Sequence, residues 1–376
     1  MRVPIILIFF IAVSSGELDF YSKVRNFSTQ LLYYTQLDTP ADVDADFFIS
    51  PYTVWYFLMI MVSETVGDTR EQITRALSLD GRSDYMIEFR NLTRIIKSRT
   101  IFGNYLYYDV NLKVRPDGVN RLRDLGFFTE RLNFKKPTFK EPIVPNIEDF
   151  VNSSIIMSNA IHFTASWKHS LKSNYSVIEN GFFEAMYHVR AHFPSADFDF
   201  LKASVTELPY SNDKYSMLII RPHSGYNVSQ VYVKLKDVSL KDIVAKLEKD
   251  ALEHGLVEVD VMLPSISANS HVIFNKPLEN LGLLEIFNGN SANFYNLVED
   301  DIYISEITQG VELTFTEEQT IVSATIPSKS GGQLDKWKKI VPLKKPFISF
   351  IMEKSTGTIL FGGVHSNSLA VHSWYT

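Results

Sequence analysis

The chain contains no cysteine among its 376 residues. This absence excludes structural disulfides, cysteine-based zinc sites and a thiol nucleophile. A small secreted domain would depend on such cross-links, whereas a chain of this length can bury enough apolar surface without them. The formal charge of −6 and the lack of a basic stripe also argue against nucleic acid as a partner.

Long hydrophobic runs are missing as well, apart from a short one at the N-terminus. Residues 3–13 are apolar and follow the basic Arg2, but this run is far shorter than the ~20 residues that span a bilayer. Small residues at Ser14 and Gly16 suit cleavage before Glu17. We therefore expect residues 1–16 to be a signal peptide, the alternative being a buried N-terminal helix, and the protein to be secreted and extracellular.

The sequence carries five Asn-x-Ser/Thr sequons. In a secreted chain each is a candidate site for an N-linked glycan on the surface. The asparagines are Asn26, Asn91, Asn152, Asn174 and Asn227. Asn152 is the least suited, because a hydrophobic strand pattern follows it directly.

Hydrophobic periodicity predicts helices in the first part of the chain and mainly strands in the rest. Apolar residues at helical spacing predict an amphipathic helix over residues 18–37, and the almost wholly apolar residues 53–63 predict a core helix. Strands are predicted at residues 100–110, 155–163 and 257–263, with a hairpin over residues 207–222. This pattern is typical of an α+β fold.

One stretch, residues 312–346, reads as a strand that enters a long polar loop and returns as a buried strand. An alternating segment is followed by Glu317 and Glu318, and then by the small, β-prone residues 319–326. A polar, partly basic loop follows and ends at Pro346, before an apolar strand pattern. Such an arrangement is suited to displaying a peptide segment.

Six motifs in the chain resemble, in their order, those of the serpin family. The resemblance runs nearly from end to end and implies one domain over residues 17–376. The motifs are Phe48-Ile49-Ser50-Pro51, residues 67–73, Asn159-Ala160-Ile161-His162-Phe163 with Trp167, Leu208-Pro209-Tyr210 with residues 216–220, residues 305–318, and Leu360-Phe361-Gly362-Gly363-Val364.

The resemblance implies helices packed on a large, mostly antiparallel central sheet, a smaller sheet or barrel, and an exposed reactive-centre loop at about residues 319–342. It also implies a serine protease inhibitor that is cut in this loop and inserts the cut end into the large sheet. The protein would then be no enzyme, would need no cofactor or metal, and would act as a monomer on an extracellular serine protease.

The resemblance assigns three groups of site residues. The hinge residues are Glu317, Glu318, Gln319, Thr320, Ile321 and Val322. The scissile region holds Lys329, Gln333, Leu334, Asp335 and Lys336. Residues beneath the opening of the large sheet, called the shutter, are Ser50, Thr53, Asn159 and Gln309. Either lysine of the scissile region would suit a trypsin-like protease.

Several residues depart from the family pattern and favour an alternative function. Gln319 stands where inhibitors usually have glycine, Ile321 and Val322 stand where they have small residues, and Pro327 would interrupt a strand. Gln309 replaces a usual histidine, and the segment between Phe134 and Asn159 is shorter than usual and rich in proline. The alternative is a non-inhibitory binding or carrier protein of the same fold, or a protease substrate.

Two further patterns suggest other partners. Residues 336–339, Lys-Trp-Lys-Lys, are basic and aromatic and suit a glycosaminoglycan or a membrane surface, or else a solvated loop face. His188 and His192 are four residues apart, but no glutamate completes a zinc-protease motif. The sequence divergence and the number of sequons suggest an insect secretory member of the seminal-fluid type.

Overall fold

The structure is a computed structural model that describes residues 15–39, 47–79, 85–98, 100–136, 154–177, 183–264, 267–316, 318–325 and 346–365. Its α-helices are α1 (Ser15–Asp38), α2 (Pro51–Glu64), α3 (Gly67–Ala76), α4 (Tyr85–Lys97), α5 (Pro116–Asp124), α6 (Val228–Leu235), α7 (Leu240–His254) and α8 (Asn275–Asn280). A short 3₁₀ turn spans Glu285–Phe287. Among the described helices, none combines the length and the apolar character that crossing a membrane requires.

The strands of the described residues alternate with helices early in the chain and dominate later. They are β1 (Phe47–Ile49), β2 (Thr100–Asp109), β3 (Phe127–Leu132), β4 (Ile155–Ser166), β5 (Lys172–Val177), β6 (Phe183–Phe193), β7 (Ser195–Phe198), β8 (Ala203–Pro209), β9 (Tyr215–Pro222), β10 (Val257–Pro264), β11 (Ser267–Ile273), β12 (Thr308–Phe315), β13 (Gln319–Thr325), β14 (Phe347–Glu353) and β15 (Thr358–His365).

The sequence explains both where the core helix α2 begins and why it is buried. The side chain of Ser50 accepts a hydrogen bond from the amide of Thr53, and Pro51 occupies the first helical turn, where its missing N–H is not needed. Residues on all sides of α2 are buried, as its apolar sequence predicts.

The described strands form three sheets. The large sheet has the order β11-β12-β13-β4-β2-β3 and is antiparallel except between β2 and β3. A second six-stranded sheet has the order β1-β15-β14-β9-β8-β7, and a three-stranded sheet has the order β10-β6-β5. Helices packed against a large, mostly antiparallel sheet with smaller sheets beside it confirm the predicted α+β class.

The second sheet is tightly buried along its two central C-terminal strands. Every residue of β14 and β15 is buried. A Cβ on Gly363 would lie 1.9 Å from the carbonyl oxygen of Phe47, so β1 can approach β15 this closely only because residue 363 is glycine. Ser50, which directly follows β1, bonds to Gln309 of β12, so β1 brings the start of α2 against the large sheet.

A smaller apolar cluster lies apart from the main core, on β2, β3 and β4. It consists of Tyr107, Leu132, Phe134 and Ile156, all at most 8% exposed. The proline-containing segment that the sequence places between Phe134 and Asn159 lies mostly outside the described residues, as do residues 326–345.

Candidate functional site

The candidate site is the middle of the large sheet, where β13 lies between β12 and β4. Thr320–Thr325 of β13 lie opposite Phe315–Gly310 of β12, and Gln319–Thr325 lie opposite Ser166–Ala160 of β4. Both neighbours run antiparallel to β13, so they run parallel to each other. Strand β13 thus fills a gap between two parallel strands and satisfies the hydrogen-bonding edges of both.

The chain reverses direction between β12 and β13 within a few residues. The amide of Thr316 donates to the carbonyl of Gln319 at 2.9 Å, and the Thr316 hydroxyl accepts from the amide of Gln319 at 3.1 Å. Trp167, at the end of β4, donates its amide to the carbonyl of Glu318 at 2.9 Å and its indole N–H to the carbonyl of Thr316 at 3.3 Å. The turn is therefore fixed to the neighbouring strand.

This turn explains why glycine is not needed at residue 319 in the described arrangement. Among the described residues, positive φ angles outside glycine occur at Ser78, Lys202 and Asp213, and not at Gln319. Gln319 has ordinary strand backbone, which any L-residue adopts. The hinge departure that the sequence analysis singled out is accommodated in the inserted strand.

The side chains of β13 alternate between the core and the outer face of the sheet. Thr320 and Val322 are fully buried, whereas Gln319 and Ile321 are partly exposed. Val322 lies opposite Phe163, which is itself buried. The two bulky hinge residues thus differ, because Val322 fills the core and Ile321 faces outward.

The resemblance implied an exposed loop from about residue 319, whereas the structure has strand β13 over Gln319–Thr325. The physical reason is the gap between β12 and β4, which offers two rows of main-chain hydrogen bonds to a segment that is small and β-prone. If these residues formed a loop in solvent, the main-chain groups of β12 and β4 that face the gap would have no strand to pair with.

Two stacked aromatic residues, Tyr210 and Trp167, contact the start of β13. The hydroxyl of Tyr210 donates to the hydroxyl of Thr320 at 3.1 Å, and both residues are fully buried. Burial raises the pKa of the Tyr210 phenol, so that it remains protonated and able to donate. The Tyr210 ring stacks on Trp167 at 4.8 Å and meets the edge of Phe163 at 5.4 Å, which holds the phenol in place.

A polar cluster of Ser50, Thr53 and Gln309 lies just beyond the other end of β13. The Gln309 carbonyl oxygen accepts the Ser50 amide at 2.6 Å, and its amide nitrogen donates to the Thr53 hydroxyl at 2.6 Å and to the Ser50 carbonyl at 3.3 Å. Gln309 is fully buried and uses both its donor and its acceptor atoms. A glutamine can therefore fill this position without a titratable group.

The position that follows β13 in the sheet is flanked by two shutter residues. Thr325 lies opposite Gly310 on one side and Ala160 on the other, so Gln309 and Asn159 flank the next position. The backbone of Asn159 pairs with Asn104 of β2, and its side chain lies outside the description. Of the four shutter residues, Gln309 and Thr53 are thus in side-chain contact, and Gln309 also bonds to the main chain of Ser50.

Other predicted site residues lie outside the described part of the chain. They are Glu317, Lys329, Gln333, Leu334, Asp335, Lys336 and Asn152. Trp167, Tyr210 and Thr316 had no predicted role, although Trp167 and Tyr210 belong to motifs that resemble the family. The signal was their aromatic character just after β4 and β8, but only the fold reveals that they meet β13.

The sequon asparagines whose side chains are described are exposed. Asn26 lies on α1 and Asn91 on α4, and Asn227 caps α6 by accepting a hydrogen bond from the amide of Gln230 at 2.9 Å. The cap uses the side-chain oxygen of Asn227 and leaves its nitrogen, the atom that carries a glycan, available. Asn174 lies in β5, with its side chain outside the description.

Taken together, the described site can hold an extended peptide segment by main-chain hydrogen bonds on both edges and by small inward side chains. Among the described residues, no group of three or more histidine or acidic side chains is placed to bind a metal ion. The chemistry of this site is that of strand binding.

The comparisons with known proteins agree with this geometry. A family model described as "Serpin (serine protease inhibitor)" matches residues 22–368. The chain is 23% identical to "Serine protease inhibitor 88Ea" of Drosophila melanogaster, over 93% of this chain and 91% of that protein. Among solved structures, it resembles "Cleaved Serpin 42Da" with a TM-score of 0.73 and 18% identity, over 93% of this chain and 99% of the other. It also resembles a loop-inserted structure of a cleaved ovalbumin mutant, with a TM-score of 0.69 and 16% identity over 92% of this chain and 99% of the other.

Proposed function

The chain belongs to the serpin family, and on this premise we propose that it is a secreted inhibitor of extracellular serine proteases. In this proposal a protease cuts the segment that follows β13, and the cut end inserts further into the large sheet. The observation that carries the proposal is the position of β13 between β12 and β4. The protein then acts as a monomeric protein inhibitor, without catalysis of its own and without a cofactor.

The trapping step depends on competition between insertion and hydrolysis. The protease serine attacks the carbonyl carbon of the recognised residue, the peptide nitrogen leaves with a proton, and an acyl-enzyme forms. If the freed strand enters the sheet before water attacks the ester, the attached protease is carried away from the loop and its active site is distorted. If insertion is slower, the inhibitor is released as a cut substrate.

The register of β13 supports insertion of a longer segment. In β13 the even-numbered residues Thr320 and Val322 face the core. The same alternation would turn inward Ile326, Ser328, Ser330, Gly332 and Leu334, which are all uncharged. Pro327 and Lys329 would face outward, and the first inward charge would be Lys336.

This pattern supports a cut in the region of Lys329 to Lys336, which includes Gln333, Leu334 and Asp335. A cut there would free a segment with no charged side chain on its inward face up to Leu334. Pro327 would still remove one ladder hydrogen bond, which slows or weakens insertion.

The test is incubation of the mature protein with trypsin-like and chymotrypsin-like proteases, followed by denaturing electrophoresis. An inhibitor gives a covalent complex that survives SDS, and a protease whose active-site serine is blocked gives none. Cleavage of the loop without any such complex, across both protease classes, would contradict inhibition. Sequencing of the new N-terminus would identify the recognised residue.

A second function on the same fold is favoured by a specific observation. Seven residues of the segment that a cut would release, Gln319–Thr325, already lie in the large sheet. Insertion that has already occurred leaves less free energy to be released on cleavage. This favours a non-inhibitory binding or carrier protein, for which the same incubation yields a cut chain and an active protease.

Secretion belongs to the proposal and is supported by the signal-like residues 1–16 and the exposed asparagines of three sequons. Contact with a glycosaminoglycan at residues 336–339 stays a prediction, because these residues lie outside the described part of the chain. The seminal-fluid type also stays a prediction.

A further inference from the structure

A polar groove lies between α1 and the connection from α6 to α7, away from the large-sheet site. Its volume is about 450 Å³, within the range of small-ligand sites. One wall is a stripe of α1 residues spaced four apart, namely Ser22, Asn26, Gln30 and Tyr34, with Arg25 beside them. The other wall is residues 236–239. The groove therefore contains a sequon asparagine in its own lining.

The lining offers polar atoms that the protein does not use. The polar side-chain atoms of Gln30, Tyr34, Asp237 and Ser239 form no hydrogen bond or ion pair with another described residue, whereas the Lys236 ammonium lies over the Tyr33 ring, 4.9 Å from its centroid. Ser239 stands at the N-cap of α7, yet its hydroxyl does not cap the helix. Such unpaired groups around a groove are what a polar, hydroxyl-rich ligand requires.

The base of the groove is fixed by Arg25. Its guanidinium donates to the carbonyl of Thr356 and to the hydroxyl of Ser22, the latter at 2.9 Å, and the residue is only 6% exposed. Burial lowers the pKa of Arg25. The arginine ties α1 to the turn between β14 and β15, so the wall that carries Asn26 does not depend on a ligand for its position.

We propose that this groove is the seat of an N-linked glycan on Asn26, whose first sugars lie along α1 toward Gln30 and Tyr34. Residues four apart on a helix lie on one face, about 6 Å apart along the axis, which is close to the length of one sugar ring. The ligand class is thus N-acetylglucosamine at the base of the glycan. The seat assigns Asn26 a structural glycan, in contrast to the other exposed sequons.

The covalent step is the one that the secretory pathway supplies. The side-chain amide nitrogen of Asn26 forms a bond to C1 of the first sugar of a lipid-linked oligosaccharide. The bond from C1 to the lipid pyrophosphate breaks, the pyrophosphate leaves, and the amide loses one proton. The inference therefore rests on the secretion included in the proposed function, but not on protease inhibition.

Tethering makes occupancy of a weak sugar site favourable. A sugar that binds polar side chains from free solution does so weakly, but attachment at Asn26 raises its effective concentration at the groove to roughly the millimolar range. Contacts with the side chains of Gln30, Tyr34 and Ser239 then hold the sugar, and no change in the fold is needed. A seated glycan should protect its own linkage from enzymatic attack.

The test is release of glycans from the full chain, expressed in a eukaryotic secretory host, by an amidase that cleaves the sugar–asparagine bond. On the folded protein we expect release from Asn26 to be roughly tenfold slower than from Asn91, and the two rates to be equal after denaturation. Asn91 is the matched control, because it is also exposed on a helix and does not line the groove. Mass spectrometry of each sequon peptide gives both rates.

A double variant, Gln30→Ala with Tyr34→Ala, removes the proposed contacts with the sugar and leaves Asn26 in place on α1. We expect it to raise the Asn26 release rate to that of Asn91 and to leave Asn91 unchanged. Equal rates at the two sites in the unaltered protein, or a glycan on Asn91 with none on Asn26, would overturn the seat while secretion stands. Retention of the chain inside the host, without glycans at any sequon, would overturn the seat and secretion together.

Discussion

At the scale of single residues, the buried hydroxyl pair of Tyr210 and Thr320 is the contact most specific to the inserted strand. The two side chains come from positions 110 residues apart in the chain and meet with no solvent between them. Each hydroxyl satisfies the other, and the loss of one leaves the other buried without a partner. A buried unpaired hydroxyl costs about 1–3 kcal/mol, so the pair ties the stability of the protein to the seating of β13.

We expect Tyr210→Phe and Thr320→Val each to lower the free energy of unfolding by ~1–3 kcal/mol, and the double variant to cost less than their sum. The physical reason is that the double variant leaves no hydroxyl unpaired. Denaturant unfolding of the four proteins measures the coupling. Tyr226→Phe is the control, since Tyr226 is exposed.

Simple additivity of the two single changes would show that the hydroxyls do not act as a pair. A large loss in Tyr226→Phe would show that the effect of phenol removal is unspecific.

A second residue-scale feature is His365, which lies between Phe347 and Phe48 and forms a 2.6 Å hydrogen bond with Ser349. Burial lowers the pKa of His365 to about 3. The folded protein therefore keeps this imidazole neutral while the unfolded chain protonates it near pH 6.5. Since the unfolded state then binds more protons, stability must fall as the pH decreases from about 6.5 toward about 3.

We expect His365→Gln to remove this contribution, which has a slope of up to ~1.4 kcal/mol per pH unit in that window. Denaturant unfolding of both proteins between pH 7 and pH 4 compares the two slopes. Identical pH dependence in the variant and the original would mean that folding does not lower the pKa of His365.

At the scale of elements, β13 shows where sequence reasoning succeeds and where it stops. The small, β-prone residues after Glu318 predict a strand-forming segment, and the alternation rule predicts which of them share a face. Whether this segment lies in the sheet or in solvent is decided by the gap between β4 and β12, two strands that are distant from each other in sequence. Hence Gln319 and Val322 read as obstacles in the sequence, yet the structure fits Gln319 into strand backbone and Val322 into the core.

We expect Val322→Lys to expel β13 from the sheet and Ile321→Lys to leave it in place. The first change puts an unpaired charge opposite Phe163, whereas the second adds a charge to a partly exposed side chain. Hydrogen exchange of the amides in Gln319–Thr325 measures the difference, with fast exchange in the first variant and protection in the second.

The neighbouring strands provide the internal control, because the amides between β2 and β4 should remain protected in both variants. Equal protection of β13 in both variants would contradict the inward position of Val322.

At the scale of the whole molecule, the hydrophobic patterns, with helices first and mainly strands afterwards, were enough to predict the α+β class. The large sheet itself was not derivable from local patterns, because β11, β12 and β13 join strands from the first half of the chain. The contact of Ser50 with Gln309 spans 259 positions, and only the resemblance suggested it. The contact of Tyr210 with Thr320 had no sequence signal beyond an aromatic residue in a motif.

Whether the large sheet takes up more of the chain after a cut is tested most directly by the unfolding temperature before and after one cleavage between residues 326 and 345. We expect a rise of several degrees or more, because residues from Ile326 onward, whose inward-facing side chains are uncharged as far as Leu334, would join the sheet and add hydrogen bonds on both edges. An unchanged or lower unfolding temperature in the cut, still-folded protein would show that the large sheet does not take up the freed segment.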